Sequence, residues 1–206
     1  MINHIRGING FIWIGVIILI IIGLDNSFSS LGFTTINTDL KTVDIIRIEG
    51  RCGNTIQSIW QNCLIKSTEL AKVLPNEPYY AISEEPFPMR ESSEKLYMLN
   101  GMIYYTLALK NAIEIWNVNP SYLNTLLTKS RTKSDSVNLA KELISVYKTY
   151  GYSFNKSKYN DDESESFLFA TRLFIKKEVD ENIISDILKI KDKFVLDKEK
   201  LLYMKK

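Results

Sequence analysis

An unbroken apolar run near the N-terminus constrains this chain more than any other feature of its sequence. The 14 residues from Phe11 to Leu24 carry no charged or amide side chain, and Asp25 ends the run. A membrane-spanning helix needs roughly 20 apolar residues and at least about 17, so the run is near the lower limit. The preceding residues 1–10 hold Arg6 and no acidic residue, which predicts that this flank stays in the cytoplasm.

Three interpretations of this run remain open. A transmembrane anchor over residues 11–24 fits its strong apolar character. The apolar region of a cleaved signal peptide fits its length, although no Ala-x-Ala cleavage pattern follows. A buried core helix fits less well, because few core helices are apolar on every face. We expect the anchor, which makes the chain a single-pass membrane protein with its C-terminal domain in the periplasm.

The rest of the chain shows the periodicity of helices. Residues 25–53 are rich in Ser, Thr, Gly and Asn and are expected to form a stalk. Beyond them, apolar residues recur at spacings of three and four in segments near 54–74, 92–116, 136–150, 163–178 and 181–204. These patterns predict an all-α fold, with residues 54–206 forming a bundle of five to six helices. The β-branched residues at 43–49 allow one short strand.

The composition excludes several kinds of catalytic site. The only histidine is His4, which precedes the apolar run, so histidine-dependent catalysis and histidine metal sites are not expected in the domain. Two cysteines cannot form a four-cysteine zinc site, and no glycine-rich phosphate-binding motif is present. Acid–base chemistry by carboxylates survives, but no motif singles out a pair. We therefore predict no catalytic residues, no cofactor, no metal and no enzymatic activity.

Charge indicates which partners to expect. The chain has 26 basic and 24 acidic residues, for a net charge of +2. Nucleic-acid binding proteins usually show a clear basic excess, so we expect no nucleic-acid partner. No small-molecule substrate is evident either. The expected partners are the membrane, through residues 11–24, and a protein of the cell envelope.

The two cysteines form a possible disulfide. An even cysteine count in an exported chain favours pairing of Cys52 with Cys63. However, a helix that starts near Asn54 places Cys63 about 13 Å along its axis. Bridged cysteines have Cα atoms less than about 7 Å apart, so two free thiols are the alternative.

A proline-rich segment at residues 75–91 is a possible partner-binding loop. It is acidic and aromatic, and long loops without secondary structure are often functional. Its candidate binding residues are Tyr79, Tyr80, Glu84, Glu85 and Phe87. In the alternative interpretation, these aromatic side chains only fix the loop to the helical bundle.

These expectations together predict a membrane-anchored, non-enzymatic interaction component of a bacterial cell-envelope assembly, of the secretion, pilus or conjugation type. The alternative function is an exported inhibitor or immunity-type protein that blocks a toxin or a lytic enzyme. In that case the segment at residues 75–91 would enter the site of the target enzyme.

Overall fold

The computed structural model describes residues 19–51, 53–85, 93–118 and 133–190. Within these ranges the chain forms an α/β fold. The strands are β1 (Ile20–Asn26), β2 (Ser30–Asn37), β3 (Thr42–Glu49), β4 (Tyr79–Glu84), β5 (Ala112–Val118) and β6 (Ser153–Phe154). The helices are α1 (Ile56–Val73), α2 (Ser93–Leu109), α3 (Lys133–Thr149), α4 (Asp161–Lys176) and α5 (Glu181–Lys189).

The six strands form one mixed sheet in the order β5-β4-β1-β2-β3-β6. Strands β1, β2 and β3 follow one another as an antiparallel meander, while β4 lies parallel to β1 and β5 lies parallel to β4. As a result β1, β3, β4 and β5 all end at the same edge of the sheet, where β2 begins. We call this edge the carboxyl edge. It carries Asp25, Ser30, Glu49, Glu84 and Val118.

Helices cover both faces of the sheet. On one face α4 lies directly on the strands and packs beneath α3, with Phe167 and Leu143 in the shared core. On the other face α1 and α2 pack side by side, with Cys63 and Ile103 in a second core. The side chains of β1 alternate between the two cores, so the strand is covered on both sides.

The structure contradicts the predicted membrane anchor. Ile20–Leu24, expected in a helix over residues 11–24, lies in β1 at the centre of the sheet, and all seven residues of β1 are buried. A strand covered on both faces needs an almost continuous apolar sequence, which explains its composition without a membrane. Residues 11–18 lie outside the described part of the chain. Among the described helices, none has the length and apolar character that crossing a bilayer requires.

Several further predictions depended on that helix and are wrong with it. The fold is not an all-α bundle, and the single-pass topology with a cytoplasmic flank at residues 1–10 and a periplasmic domain loses its basis. Residues 25–53, expected as a stalk, contain the end of β1 together with β2 and β3. The short strand expected at 43–49 is present as β3.

Four of the expected helices are close to their observed positions, as α1, α3, α4 and α5. The helix expected over residues 92–116 ends at Leu109, and Ala112–Val118 continues as strand β5. Asn111, with φ of 69°, makes the turn between them. The C-terminal helix was expected to reach residue 204; residues beyond 190 lie outside the described part.

The contact between α4 and the sheet is unusually close because two strand positions are glycines. A Cβ atom on Gly23 would lie 2.1 Å from the backbone oxygen of Ser166, and one on Gly32 would lie 2.1 Å from that of Asp162. No real Cβ contact is this short, so a side chain at either position would push α4 away from the sheet. The two glycines thus place the start of α4 over the carboxyl edge.

Substitution of Gly23 by alanine tests this contact. We expect Gly23→Ala to lower the free energy of unfolding by roughly 3 kcal/mol, because the added methyl group meets the backbone of α4 and cannot be relieved by rotation of a side chain. Urea unfolding followed by circular dichroism measures the change.

Gly101 supplies the matched control for this substitution. It is an exposed residue inside α2, and a Cβ there meets nothing within 4 Å. Gly101→Ala should therefore raise the free energy of unfolding by about 0.5–1 kcal/mol through helix propensity. Equal effects of the two substitutions would contradict the close approach of α4.

Candidate active site

Two carboxylates lie side by side at the carboxyl edge because of the register between β1 and β4. Leu24 pairs with Ser83 in the parallel ladder, and the next residues on the two strands are Asp25 and Glu84. Neighbouring parallel strands lie about 4.8 Å apart, so these two side chains start close to one another. β1 and β4 both end at this edge, and open α/β sheets commonly bind ligands beyond the carboxyl ends of their parallel strands.

Alternation along the strands points both carboxylates toward α4. Ile21 and Ile82 belong to the core beneath α4, and Asp25 and Glu84 follow them by an even number of positions. Asp25 is 5% exposed, so its carboxyl group is almost completely removed from solvent.

Helix α4 brings further carboxylates to the same place. Its first turn contains Asp161, Asp162 and Glu163, and Glu165 follows within the next turn. Acidic residues at a helix N-terminus are stabilised by the partial positive charge of the free backbone N–H groups. Glu163 has a local role, since it forms a capping box with Asn160. The other carboxylates of these turns belong to Asp161, Asp162 and Glu165.

The electrostatics show that these acidic groups act on one another. The pKa of Asp25 is raised well above its ordinary value, first by burial and then by the negative charges of Glu165, Glu84, Asp162 and Asp161. Burial, and after it Glu165, raises the pKa of Glu84 to about 7. Buried like charges of this kind favour either protonation or the binding of a cation.

Each carboxylate of α4 has a different neighbour. Asp162 lies over β2 and β3, where the Nε atom of Arg47 is 3.3 Å from its Oδ2 atom and Ser30 donates a hydrogen bond to the same oxygen. Glu165 accepts a hydrogen bond of 3.2 Å from the Ser136 hydroxyl on α3. The negative charge of Glu165 raises the pKa of both Asp25 and Glu84, whereas that of Asp162 raises the pKa of Asp25.

The donor set suits a divalent metal ion. Carboxylate oxygens are the ligands that Mg²⁺ and Mn²⁺ prefer, and the pKa of Asp25 is raised first by burial and then by the neighbouring carboxylates. Among the described residues, no three His, Cys, Asp or Glu side chains enclose a single ion position as they stand. The carboxylates whose charges act on one another here are Asp25, Glu84 and Glu165.

An amide network on the α2 side of the sheet fixes the strand ends beneath the carboxylates. Asn26 donates hydrogen bonds through Nδ2 to Ser83 Oγ at 2.6 Å and to Asn100 Oδ1 at 2.8 Å. Asn100 in turn donates to the backbone oxygen of Glu84 at 3.3 Å. These hydrogen bonds connect β1, β4 and α2 through Asn26, which follows Asp25, and Ser83, which precedes Glu84. Within the described structure, the buried Oδ1 atom of Asn26 has no hydrogen-bond partner.

The residues predicted as a partner-binding loop fall mainly on strand β4. Tyr79 is completely buried and donates a hydrogen bond of 3.0 Å to the backbone oxygen of Leu107. The Nζ atom of Lys177 lies 3.9 Å from the centre of the Tyr80 ring. Only Glu84 reaches the acidic site; Glu85 follows it, and Phe87 lies outside the described residues. Binding of a partner by these residues stays a prediction.

The proposed disulfide also stays a prediction. Cys63 is buried under the sheet and is unpaired among the described residues, while Cys52 lies outside them. Burial raises the pKa of the Cys63 thiol, which makes it a poor nucleophile.

The sequence contained two signals for the acidic site, which were missed because the apolar run was interpreted as a helix. One is Asp25 directly after an apolar run, which marks the end of a buried strand once the run is taken as β1. The other is the acidic cluster between Asp161 and Glu165 at the start of an amphipathic segment. Neither signal identifies a site alone, because the fold is needed to bring them together.

Comparison with known proteins adds a similar fold. No protein-family model and no curated protein matches the chain. The structure of Thermus thermophilus RuvC in complex with a Holliday junction substrate matches with a TM-score of 0.52 and 10% sequence identity, over 77% of this chain and 95% of that one. A second T. thermophilus RuvC structure matches over the same fractions with a TM-score of 0.51 and 10% identity. At this identity the likeness shows a shared fold.

These findings correct the predicted function and partners. The expectation of a non-enzymatic, membrane-anchored envelope component is contradicted, because it depended on an all-α domain behind an anchor and the chain instead has an α/β fold similar to that of RuvC. The expected membrane partner is wrong, because residues 20–24 form β1. The exclusion of a nucleic-acid partner loses its support, since the RuvC structure with a similar fold holds a Holliday junction substrate.

The shifted pKa of Glu84 predicts a pH-dependent stability. The unfolded carboxyl group titrates near 4.5 and the folded one near 7, so the folded protein holds the proton more tightly. Stability contributed by this group is therefore complete below about pH 4.5 and is lost as the pH rises through 7, by roughly 3 kcal/mol. Glu84→Gln should remove this loss, so the variant is more stable than the wild type at pH 8 and similar to it at pH 4.

Urea unfolding in EDTA at several pH values measures this difference. Glu85→Gln, which changes the adjacent glutamate, is the matched control and should keep the wild-type profile. Parallel profiles for the wild type and Glu84→Gln would show that Glu84 is not held in a buried acidic site.

Proposed function

We propose that this chain is a divalent-metal-dependent nuclease that hydrolyses a phosphodiester bond in branched DNA, with a four-way junction as its substrate. The observation that carries this proposal is the position of Asp25 and Glu84, side by side at the carboxyl edge beneath the acidic first turns of α4. Phosphodiester hydrolysis at such a site needs neither a histidine nor a covalent nucleophile.

The residues of the chain have distinct roles in this reaction. Asp25, Glu84 and Glu165 would hold a divalent metal ion through their carboxylate oxygens. The chemistry that such an ion would supply is activation of a water molecule and compensation of negative charge on the phosphate. The Asn26 and Asn100 amides keep the ends of β1 and β4 at a fixed separation, which sets the spacing of Asp25 and Glu84.

Basic side chains near the same edge support a nucleic-acid substrate. Arg47 lies at the end of β3, and the exposed Arg51 follows that strand. Lys95, in the first turn of α2, lies 3.1 Å from the Asn54 amide oxygen and 5.8 Å from the centre of the Phe28 ring. Contacts of Arg and Lys with phosphates position a DNA strand without reading its sequence. Positive charge is thus placed beside the acidic site in spite of the small net charge.

The choice of branched DNA comes from the fold comparison, since one of the matched RuvC structures holds a Holliday junction substrate. The acidic site by itself accounts for cleavage of a phosphodiester bond. Comparing a four-way junction with a linear duplex of the same sequence therefore tests the substrate separately from the chemistry.

Substitution of the metal-binding carboxylates tests the chemistry. Asp25→Asn and Glu84→Gln should each lower the rate of Mg²⁺-dependent junction cleavage by at least about 100-fold, since removal even of groups that only support metal ligands costs 10–100-fold. Cleavage of a labelled junction measures the rate, and gel mobility in EDTA measures junction binding, which should persist.

Asp44→Asn is the matched control. Asp44 is an exposed aspartate nearer the start of β3, away from the carboxyl edge, and its substitution should leave the cleavage rate unchanged. A cleavage rate that survives Asp25→Asn, or that is independent of Mg²⁺ and Mn²⁺, would rule out the proposed site. Cleavage of linear duplex at the same rate as the junction would retain the nuclease and reject the branched substrate.

A further inference from the structure

We infer that the turn between β1 and β2, residues 27–29, is a binding site for a phosphate group of the DNA backbone. The backbone N–H groups of Phe28 and Ser29 donate to the phosphate oxygens, and the side chains of Arg51 and Lys95 offset its charge. The inference deepens the proposed function and rests on it, because it takes DNA as the substrate at the carboxyl edge. It requires no metal ion.

The first two carbonyl groups of the β1–β2 turn are both held by α1. The ammonium group of Lys66 donates to the carbonyl oxygen of Ser27, and Nδ2 of Asn62 donates to that of Phe28 at 2.8 Å. Both α1 side chains are completely buried, and burial of polar groups in a core is costly. Tight turns join antiparallel strands without such bonds, so the cost indicates that one orientation of this turn is required.

The geometry of the peptide bond then gives the direction of the N–H groups. In a trans peptide the carbonyl bond and the following N–H bond point in opposite directions, and the described part of the chain has no cis peptide. Since the carbonyls of Ser27 and Phe28 point into α1, the N–H groups of Phe28 and Ser29 point away from it. Neither N–H group has an acceptor among the described residues. Successive N–H groups of this kind form the concavities in which proteins bind anions.

Basic side chains lie beside the same turn. Oδ1 of Asn62, whose Nδ2 holds the carbonyl of Phe28, accepts a hydrogen bond of 2.9 Å from the backbone N–H of the exposed Arg51. Nζ of Lys95 lies 5.8 Å from the centre of the Phe28 ring, and its hydrogen-bond partner Asn54 is a neutral amide. In the described structure no carboxylate pairs with either base. Arginine, lysine and backbone N–H groups are the donors that position DNA phosphates.

The turn is close enough to the acidic site to place a DNA strand there. Phe28 follows Asp25 by three residues, so their Cα atoms lie at most about 11 Å apart. Asp162, which accepts a hydrogen bond from Ser30 just after the turn, lies 3.3 Å from Nε of Arg47. This pairing weakens the repulsion between Asp162 and a phosphate at the turn.

Junction binding by the full chain in EDTA tests this inference without any measurement of cleavage. Ser29→Asp places a negative charge at the phosphate position and should weaken binding of a labelled four-way junction at least about 100-fold, because like charges meet in the complex. Arg51→Gln and Lys95→Gln should each lower the slope of log affinity against log salt by about 1. Fluorescence polarisation measures both quantities, and circular dichroism checks that each variant is folded.

Ser145→Asp is the matched control, since Ser145 is an exposed serine near the end of α3, and it should bind as the wild type does. Replacement of chloride by inorganic phosphate at constant ionic strength should change the wild-type affinity less than about twofold, because screening is unchanged. Strong competition by inorganic phosphate would assign the turn to free phosphate and overturn its role in DNA binding.

Two further results would decide against the phosphate site. Wild-type affinity in Ser29→Asp, or an unchanged salt slope in both Arg51→Gln and Lys95→Gln, would overturn the role of the turn and leave a metal-dependent nuclease in place. A wild type that neither binds nor cleaves the junction would overturn the proposed function and this inference together.

Discussion

The close approach of α4 to the centre of the sheet is the contact on which the rest of the structure depends. Gly23 on β1 and Gly32 on β2 remove the side chains that would hold the helix away, and the backbone of α4 occupies that space. The same contact buries the apolar face of α4, with Phe167 and Leu173 completely covered, and sets its first turns above the carboxyl edge. The packing of α4 and the placement of its acidic residues therefore both depend on its close approach to β1 and β2. A change in that approach would disturb both.

The opposite face of the sheet fixes the other half of the site. Lys66 on α1 is completely buried and donates to the backbone oxygen of Ser27, and Asn62 donates to that of Phe28 at 2.8 Å. These bonds hold the turn that directly follows Asp25 and Asn26. A buried lysine is uncommon and costly, and here its charge is placed against a backbone carbonyl in the β1–β2 turn. The position of Asp25 is thus determined from both faces, by the α4 backbone above and by polar side chains of α1 below.

The helices could be predicted from the sequence and the sheet could not, for a physical reason. Segments such as α1 and α3 bury one face and expose the other, which produces the spacing of three and four that marks a helix. Strand β1 is buried on both faces, so its apolar run has no period and equally fits a membrane helix. Strand β5 was not predicted, because the helical spacing of apolar residues in α2 continues past Leu109 to Trp116. The acidic site depends on the pairing of β1 with β4, which lie more than 50 residues apart, and no local pattern contains that pairing.

The net charge was a weak basis for excluding a nucleic-acid partner for a related reason. Net charge counts every ionised group equally, although the field at a surface depends on which groups reach it. In this chain several acids are gathered at the start of α4 and against β1, where burial and their mutual repulsion raise the pKa of Asp25. Arg51 remains exposed near the same edge, and Arg47 pairs with Asp162. A near-neutral total therefore does not show where the charges lie: carboxylates act on Asp25 at the carboxyl edge, and the exposed Arg51 lies near the same edge. Under the proposed function, the carboxylates would hold a metal ion and Arg51 would contact a phosphate of the DNA.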